Sequence, residues 1–229
     1  MELNAHDDGH QDFHELEALA QAGKYEEALN KHIWFHDASK HMPGMGGVRL
    51  SYALDIWLEL TKKYPPALET LVDLRNSSKD KLLKGNGTFD DFHDLSAINS
   101  TLGEDEDTLL VFYEIDKNYP NQANNYYHVV ENLLVDSKAF EICGKYIADP
   151  LKKFSYLKHL HEMNIKLINE NPEMNDAEFK EYAESSYVNG VCQLIEIMIA
   201  LGKKDKAKEI QSMALEYFEN NLIREAIGS

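Results

Sequence analysis

The sequence predicts an all-α fold, and three observations support this prediction. Apolar residues recur at helical spacing in almost every long segment of the 229-residue chain. No stretch alternates apolar and polar residues as a half-buried strand does. The connections between the periodic segments are mostly short, so we expect successive helices to pack as antiparallel hairpins.

The breaks between the predicted helices fall at turn residues. Glycines at Gly23, Gly103 and Gly202 permit sharp turns, and the prolines of YPPAL (Tyr64–Leu68) end one helix and begin the next. The acidic run EDED (Glu104–Asp107) begins a helix, where carboxylates complement the N-terminal dipole. The predicted helices cover Asp12–Ala22, Lys24–Ala38, Val48–Tyr64, Pro66–Lys84, Phe89–Leu102, Glu104–Asn118, Gln122–Leu134, Ser137–Ile147, Pro150–Asn169, Asp176–Leu201 and Lys203–Asn220.

Three segments share a pattern around their turn glycine. An aromatic residue and a small residue follow Gly23 in the first segment, ALAQAGKYEEALNKHIWF. Small residues stand at related offsets from the glycine in the other two, LGEDEDTLLVFYEIDKNYP and LGKKDKAKEIQSMAL. The small residues, which let two helices approach closely, are Ala28, Thr108, Ala207 and Ala214. This pattern resembles the tetratricopeptide-repeat family, including bacterial members of uncharacterised function. The resemblance implies an irregular, tetratricopeptide-like α-solenoid of stacked antiparallel hairpins.

The predicted domain organisation is simple. Residues 1–11 form a polar, flexible N-terminus, and residues 12–229 form a single tetratricopeptide-like helical repeat domain. The stretch HDASKHMPGMGGVRLS contains a proline and three glycines, which predict a loop at about 39–47. We interpret this loop as an insertion in the repeat array, because two repeat periods leave about twelve of the residues between Gly23 and Gly103 unaccounted for.

Composition limits the classes of partner and compartment. A net charge of −17 and a pI near 4.9 disfavour nucleic acid, which would need a basic face. The most apolar window, VCQLIEIMIAL (Val191–Leu201), is too short to span a bilayer, and the N-terminus lacks the pattern of a secretory signal. Cys143 and Cys192 stand far apart, which indicates free thiols in a reducing cytoplasm. We therefore predict a cytoplasmic protein with no nucleic-acid or membrane partner.

The candidate binding residues are basic side chains on semi-apolar helix faces. His32 and His36 continue one helix stripe, and Arg49 and Arg75 are two of only three arginines in the chain. His93 adjoins two phenylalanines on a later helix. Arg49 is expected in the first turn of its helix, where the dipole disfavours a cation, so another group should hold it. Arginine is suited to bidentate pairing with carboxylates.

Two interpretations of these residues stay open. In the first, Arg49 and Arg75 pair with carboxylates inside the protein and brace neighbouring hairpins. In the second, His32, His36, Arg49, Arg75 and His93 line a concave groove that binds an acidic or carboxylate-bearing peptide. The second predicts a non-enzymatic protein-binding or peptide-binding module that uses no cofactor.

The alternatives come from other classes of protein. The dipeptides His36-Asp37 and His93-Asp94 resemble the metal ligands of HD-domain phosphohydrolases, which implies a metal-dependent hydrolase as the rival function. The N-terminal histidines His6, His10 and His14 have helical spacing that could chelate a metal, but we interpret them as a solvated segment. A self-associating structural protein, in the form of a homo-oligomer, is the third alternative.

Overall fold

The structure is a computed structural model that describes the backbone of residues 7–171 and 177–228 and the side chains from residue 12 onward in these ranges. Helices and the turns between them make up these ranges, and no β-strand occurs within them. The prediction of an all-α fold is confirmed. No helix in the described ranges is both long and apolar enough to cross a bilayer.

The helices follow one another with short connections, and a 3₁₀ turn at Ser39–His41 lies between the second and third. In chain order they are α1 (Asp7–Gln21), α2 (Tyr25–Ala38), α3 (Met45–Arg49), α4 (Tyr52–Thr61), α5 (Pro65–Leu83), α6 (Phe89–Leu102), α7 (Asp105–Asn118), α8 (Pro120–Asp136), α9 (Phe140–Tyr146), α10 (Pro150–Glu170), α11 (Ala177–Ala200), α12 (Lys204–Tyr217) and α13 (Asn221–Glu225).

The predicted helix Val48–Tyr64 is wrong in one respect, because the structure divides it into α3 and α4. Ser51 has φ −133° and ψ −97°, which lie outside the helical region, and its hydroxyl donates a 2.9 Å hydrogen bond to the Gly47 carbonyl. Arg49 is therefore the last residue of α3 and does not lie in the first turn of a long helix. At that position the helix dipole favours a cation.

The chain divides into two compact units, Met1–Val130 and Glu131–Ser229, which we call unit 1 and unit 2. The boundary between the two units falls inside α8. The sequence predicts one domain over residues 12–229 and gives no sign of this boundary. Of the predicted N-terminal segment, residues 1–6 lie outside the described residues, and α1 begins at Asp7. The 3₁₀ turn and the first residues of α3 occupy much of the predicted loop.

Unit 1 consists of stacked helical hairpins. Helix α4 packs on α2, α5 and α6, and α5 packs in turn on α6 and α7, so α4 and α5 each contact their successor and the next helix but one. Trp57 lies at the centre of the core, almost fully buried, and its indole Nε1 donates a 3.0 Å hydrogen bond to the Ala67 carbonyl. The core side chains around it are Ala28, Leu29, Leu54, Leu60, Ala67, Leu71 and Ile98.

Unit 2 is organised around α11, which packs on α9, α10, α12 and α13. The apolar run identified in the sequence lies in this helix, and most of its large side chains are buried. The buried residues of α11 are Ala183, Tyr187, Val188, Val191, Leu194, Ile195, Ile197 and Met198. A helix with apolar residues on most of its faces is expected at such a central position.

The turns at the three glycines singled out in the sequence share one geometry. Gly23, Gly103 and Gly202 have φ of 74°, 73° and 72°, in the left-handed region. In each case the glycine N–H donates to the carbonyl three residues earlier, and the next N–H donates to the carbonyl five residues before it. This is the Schellman motif, which satisfies carbonyls at the end of a helix.

Candidate functional site

Two of the predicted residues, Arg49 and His36, meet at a buried carboxylate. The Arg49 guanidinium Nη1 donates a hydrogen bond to Asp94 Oδ1 and lies 3.3 Å from His36 Nε2. The same His36 nitrogen lies 3.4 Å from Asp94 Oδ1. All three side chains are buried, and they come from α3, α2 and α6. The cluster therefore joins three separate helices through one carboxylate.

A second cation faces the other oxygen of this carboxylate. Lys40 Nζ lies 3.2 Å from Asp94 Oδ2. Burial by itself raises the pKa of the Asp94 carboxyl, but the hydrogen bonds and charge interactions with His36 and Arg49 outweigh burial and hold that pKa well below its usual range. Asp94 is therefore ionised, and it neutralises positive charge inside unit 1.

His32 lies one helical turn before His36, in an apolar environment. Only 1% of its surface is exposed, and its ring centroid lies 5.1 Å from that of Trp57. Burial, and then the neighbouring His36, lower the pKa of His32 to about 4. Its Nε2 atom has no hydrogen-bond partner among the described residues. His32 is therefore a neutral packing residue near neutral pH.

His93 belongs to a cluster of aromatic rings. Its centroid lies 4.6 Å from that of Phe89, and Phe89 stacks on His128 at 5.2 Å. Burial, followed by the charges of His128 and Arg49, lowers the pKa of His93. The ring is half-buried, so these contacts account for much of its surface.

Arg75 makes its contacts with a different set of residues, which includes the start of α7. Its Nη1 donates to Glu104 and, over 2.7 Å, to Asn99 Oδ1. The buried Asn99 amide donates in turn to Thr108 Oγ1 at 3.0 Å. Lys79 pairs with Asp107 at 2.5 Å in the same region. Two of the acids in the predicted EDED run thus form ion pairs that tie α5 to α7.

The structure shows what the predicted site residues can do chemically. Arg49 and Arg75 each form an ion pair with a carboxylate of the same unit, and the carboxylates are Asp94 and Glu104. A role for these arginines in binding an acidic peptide stays a prediction, because such a peptide would have to compete with these intramolecular partners. His32 offers a ligand neither charge nor exposed surface.

The dipeptides that resemble HD-domain ligands do not form a cluster of metal ligands in the described residues. His36 contacts Asp94 of the second dipeptide, while the side chain of Asp37 is 88% exposed and lies 3.8 Å from Lys40. The described residues contain no group of three or more His, Cys, Asp or Glu side chains arranged to hold a metal ion. The side chains of His6 and His10 lie outside the described residues, and His14 is exposed.

One exposed surface was missed in the sequence. Helix α10 carries four large apolar side chains that are 37% to 57% exposed, at successive spacings of four, three and four residues. On a helix these positions fall within roughly 60° of arc. They are Tyr156, Leu160, Met163 and Leu167, and we call them the α10 stripe.

A basic edge runs along the α10 stripe. Lys152, His159 and Lys166 follow one another at intervals of seven residues, and all three are exposed. Lys166 Nζ lies 3.8 Å from Glu170 Oε1, in an exposed pair of the kind that contributes little. The opposite side of α10, with Phe154 and Ile168, is buried. The sequence therefore contains two apolar stripes on this helix, and periodicity alone does not tell which one faces the core.

Comparisons of this chain with known proteins yield no relative from which a function could be transferred. No family model, no curated protein sequence and no solved structure matches it. The function is therefore inferred from the contacts and surfaces described above.

Proposed function

We propose that this chain is a non-enzymatic, tetratricopeptide-like helical module that binds a helical segment of a partner protein on the α10 stripe. The observation that carries this proposal is the row of four exposed apolar side chains on α10. Amphipathic helices dock through anchors at this i, i+4, i+7 spacing. The shared geometry of the turns at Gly23, Gly103 and Gly202 supports the repeat-like assignment.

The side chains of the α10 stripe are suited to such contacts. Leu160 and Leu167 provide aliphatic surface, Met163 adapts to an irregular partner, and Tyr156 adds an aromatic ring with a polar end. Single exposed apolar residues are common on protein surfaces, but a contiguous row marks an interaction site. The stripe continues over three turns of α10, which is enough to align a partner helix.

The basic edge indicates the charge of the partner. Lys152, His159 and Lys166 border the stripe in a chain whose net charge is −17. A partner helix with carboxylates beside its own apolar stripe would meet them favourably. The acid-bearing partner expected from the sequence is thus retained in the proposal, and Lys152 and Lys166 of α10 supply the positive charges in place of Arg49 and Arg75.

The same edge disfavours a second copy as the occupant. In an antiparallel pair of α10 helices with their stripes in contact, the edges that carry the charged Lys152 and Lys166 would face each other. Like charges in such positions repel. A heterologous acidic helix therefore fits this surface better than α10 of another molecule.

The test is binding of a designed helical peptide to the full chain, measured by fluorescence anisotropy. The peptide has leucines at its a and d positions and glutamates beside them. We expect Leu160→Glu combined with Met163→Glu to weaken its binding by at least about tenfold, because charge is placed in the contact. The matched control, Leu68→Glu with Leu110→Glu, changes two exposed leucines of unit 1 and should leave binding unchanged.

Three results would contradict the proposal. The first is equal binding of the peptide by the wild-type chain and the α10 double variant. The second is equal binding of a peptide with lysines in place of the glutamates. The third is the presence of stoichiometric zinc, manganese or iron in the untagged protein, if this metal is lost when His36 and Asp37 are replaced. That result would favour the hydrolase alternative.

A further inference from the structure

A second concave surface lies within unit 2. Residues of α8, α10, α11 and α13 line a cleft of about 1050 Å³. This volume is at the upper end for pockets that hold small ligands. A hydrogen bond of 3.0 Å from Gln193 Nε2 to Asn132 Oδ1 joins α11 to α8 along the cleft.

The charge of the cleft is negative. Four carboxylates, those of Glu131, Asp136, Glu196 and Glu225, are among its lining residues, and no lysine, arginine or histidine is among those described. Lys153 pairs with Glu131 at 2.5 Å and Lys138 with Glu196 at 2.9 Å. Among the described residues, Asp136 and Glu225 have no ion-pair partner. These two carboxylates are available to a ligand.

The cleft also exposes apolar surface. Tyr182 is 68% exposed and Leu222 is 60% exposed, and both line it. Gly190 allows α11 to approach α10 closely, since a Cβ atom there would lie 2.9 Å from Leu157 Cδ2. A ligand for this cleft must therefore combine positive charge with apolar groups.

We propose that this cleft binds an extended peptide segment that carries lysine or arginine beside large apolar side chains. The basic side chains pair with Asp136 and Glu225, and the apolar side chains pack on Tyr182 and Leu222. Charge complementarity selects the cationic segment, and the apolar walls distinguish it from a simple polyamine. This site is separate from the α10 stripe and takes a partner of opposite charge.

The test is fluorescence anisotropy with a labelled peptide in which arginines alternate with leucines, added to the full chain. We expect Asp136→Asn combined with Glu225→Gln to weaken binding about tenfold, which corresponds to two lost ion pairs. The matched control, Glu59→Gln with Asp80→Asn, removes the same charge from exposed positions of unit 1 and should leave binding unchanged. Thermal melting confirms that each variant is folded.

Other outcomes would overturn the proposal. Equal weakening by the control variant would mean general attraction to an acidic chain. The double variant Tyr182→Ser with Leu222→Ser should bind the peptide more weakly than the wild-type chain does. If it binds the peptide equally well, the apolar walls do not select a peptide. The same conclusion follows if spermine displaces the peptide completely and binds with the same affinity. If the wild-type chain self-associates in sedimentation experiments and Asp136→Asn with Glu225→Gln abolishes this association, the occupant of the cleft is a second copy of the chain.

The cleft and the α10 stripe are tested separately. Leu160→Glu with Met163→Glu should leave binding of the arginine-leucine peptide unchanged. A loss of that binding in this variant would assign the peptide to α10 and would also overturn the cleft proposal.

Discussion

The three arginines of the chain occupy three different environments. The side chain of Arg49 is 3% exposed, that of Arg75 is 12% exposed and that of Arg224 is 59% exposed. Each forms an ion pair with a carboxylate, so the pairs differ mainly in their access to water. A buried carboxylate that loses its partner is costly, whereas exposed pairs contribute little.

Replacing the arginines one at a time by methionine should therefore give a graded loss of stability. We expect Arg49→Met to lower the free energy of unfolding by up to about 3–5 kcal/mol, because Asp94 loses its buried guanidinium partner and keeps only the contacts with Lys40 and His36. The exposed control Arg224→Met should cost less than about 1 kcal/mol. Urea unfolding measures both, and Arg75→Met should fall between them. If Arg49→Met unfolds like the wild-type chain while losing a bound acidic peptide, the groove interpretation of Arg49 is favoured.

His32 should make stability depend on pH. Its pKa is about 4 in the folded chain and near 6.5 in the unfolded chain, so between these values the unfolded chain binds more protons. Stability is therefore full above the unfolded pKa and falls by about 3 kcal/mol as pH decreases to about 4. His32→Phe, which keeps a ring against Trp57, should flatten this slope in urea unfolding at several pH values. An unchanged slope would mean that folding does not lower the pKa of His32.

At the residue scale, the sequence allowed part of the buried cluster to be predicted. The scarcity of arginine and the semi-apolar helix faces drew attention to Arg49, Arg75 and His36. The partner of Arg49 could not be identified, because Asp94 lies 45 residues further along the chain and only tertiary packing brings them together. Forty acidic residues offered equally plausible partners.

At the scale of elements, one turn differs from its counterparts. Lys138 has φ 61° and lies between α8 and α9 with the same hydrogen-bond pattern as the glycine turns. Its side chain pairs with Glu196 and lies over the Phe140 ring, but these contacts are exposed. A residue with a Cβ atom is strained in the left-handed region, where glycine is not.

Lys138→Gly should therefore be more stable than Lys138→Ala by about 1 kcal/mol. Both variants lose the contacts with Glu196 and Phe140, so their difference isolates the backbone conformation. Thermal melting of the two variants measures it. Equal melting temperatures would mean that position 138 leaves the left-handed region in solution.

Helix positions were predictable because each long helix has an apolar stripe and a turn signal. The break between α3 and α4 was not predicted, since the apolar periodicity continues through Ser51 and does not report its backbone angles. Helix α13 was also missed, because five residues are too few to show a period. Its one local signal is Asn220, whose side chain accepts a 2.8 Å hydrogen bond from the Leu222 N–H as an N-cap.

For the whole molecule, the property that composition alone predicts most directly is the net charge. A charge of −17 on 229 residues repels itself in the compact state. The division into two units was not predictable, because it falls inside a continuous helix where the sequence has no glycine-rich or proline-rich linker.

Added salt should stabilise the folded chain for this reason. Raising sodium chloride from about 0.01 M to about 0.15 M shortens the screening length from about 30 Å to about 8 Å, which weakens the repulsion between distant carboxylates. We expect the melting temperature to rise over this range at neutral pH. A fall would mean that the ion pairs within the chain outweigh its net charge.

The unequal exposure of the arginines also determines how the native chain is cut by proteases. An arginine-specific protease meets two sites with side chains that are at most 12% exposed, Arg49 and Arg75, and one that is 59% exposed, Arg224 in the five-residue helix α13. A protease needs an exposed side chain on a segment that opens easily, and of the three sites only Arg224 has both. We therefore expect a single cleavage after Arg224, seen by mass spectrometry as the loss of residues 225–229. That cut removes Glu225 and Ala226 from the acidic cleft. Limited proteolysis thus truncates one wall of the proposed binding site without any mutation.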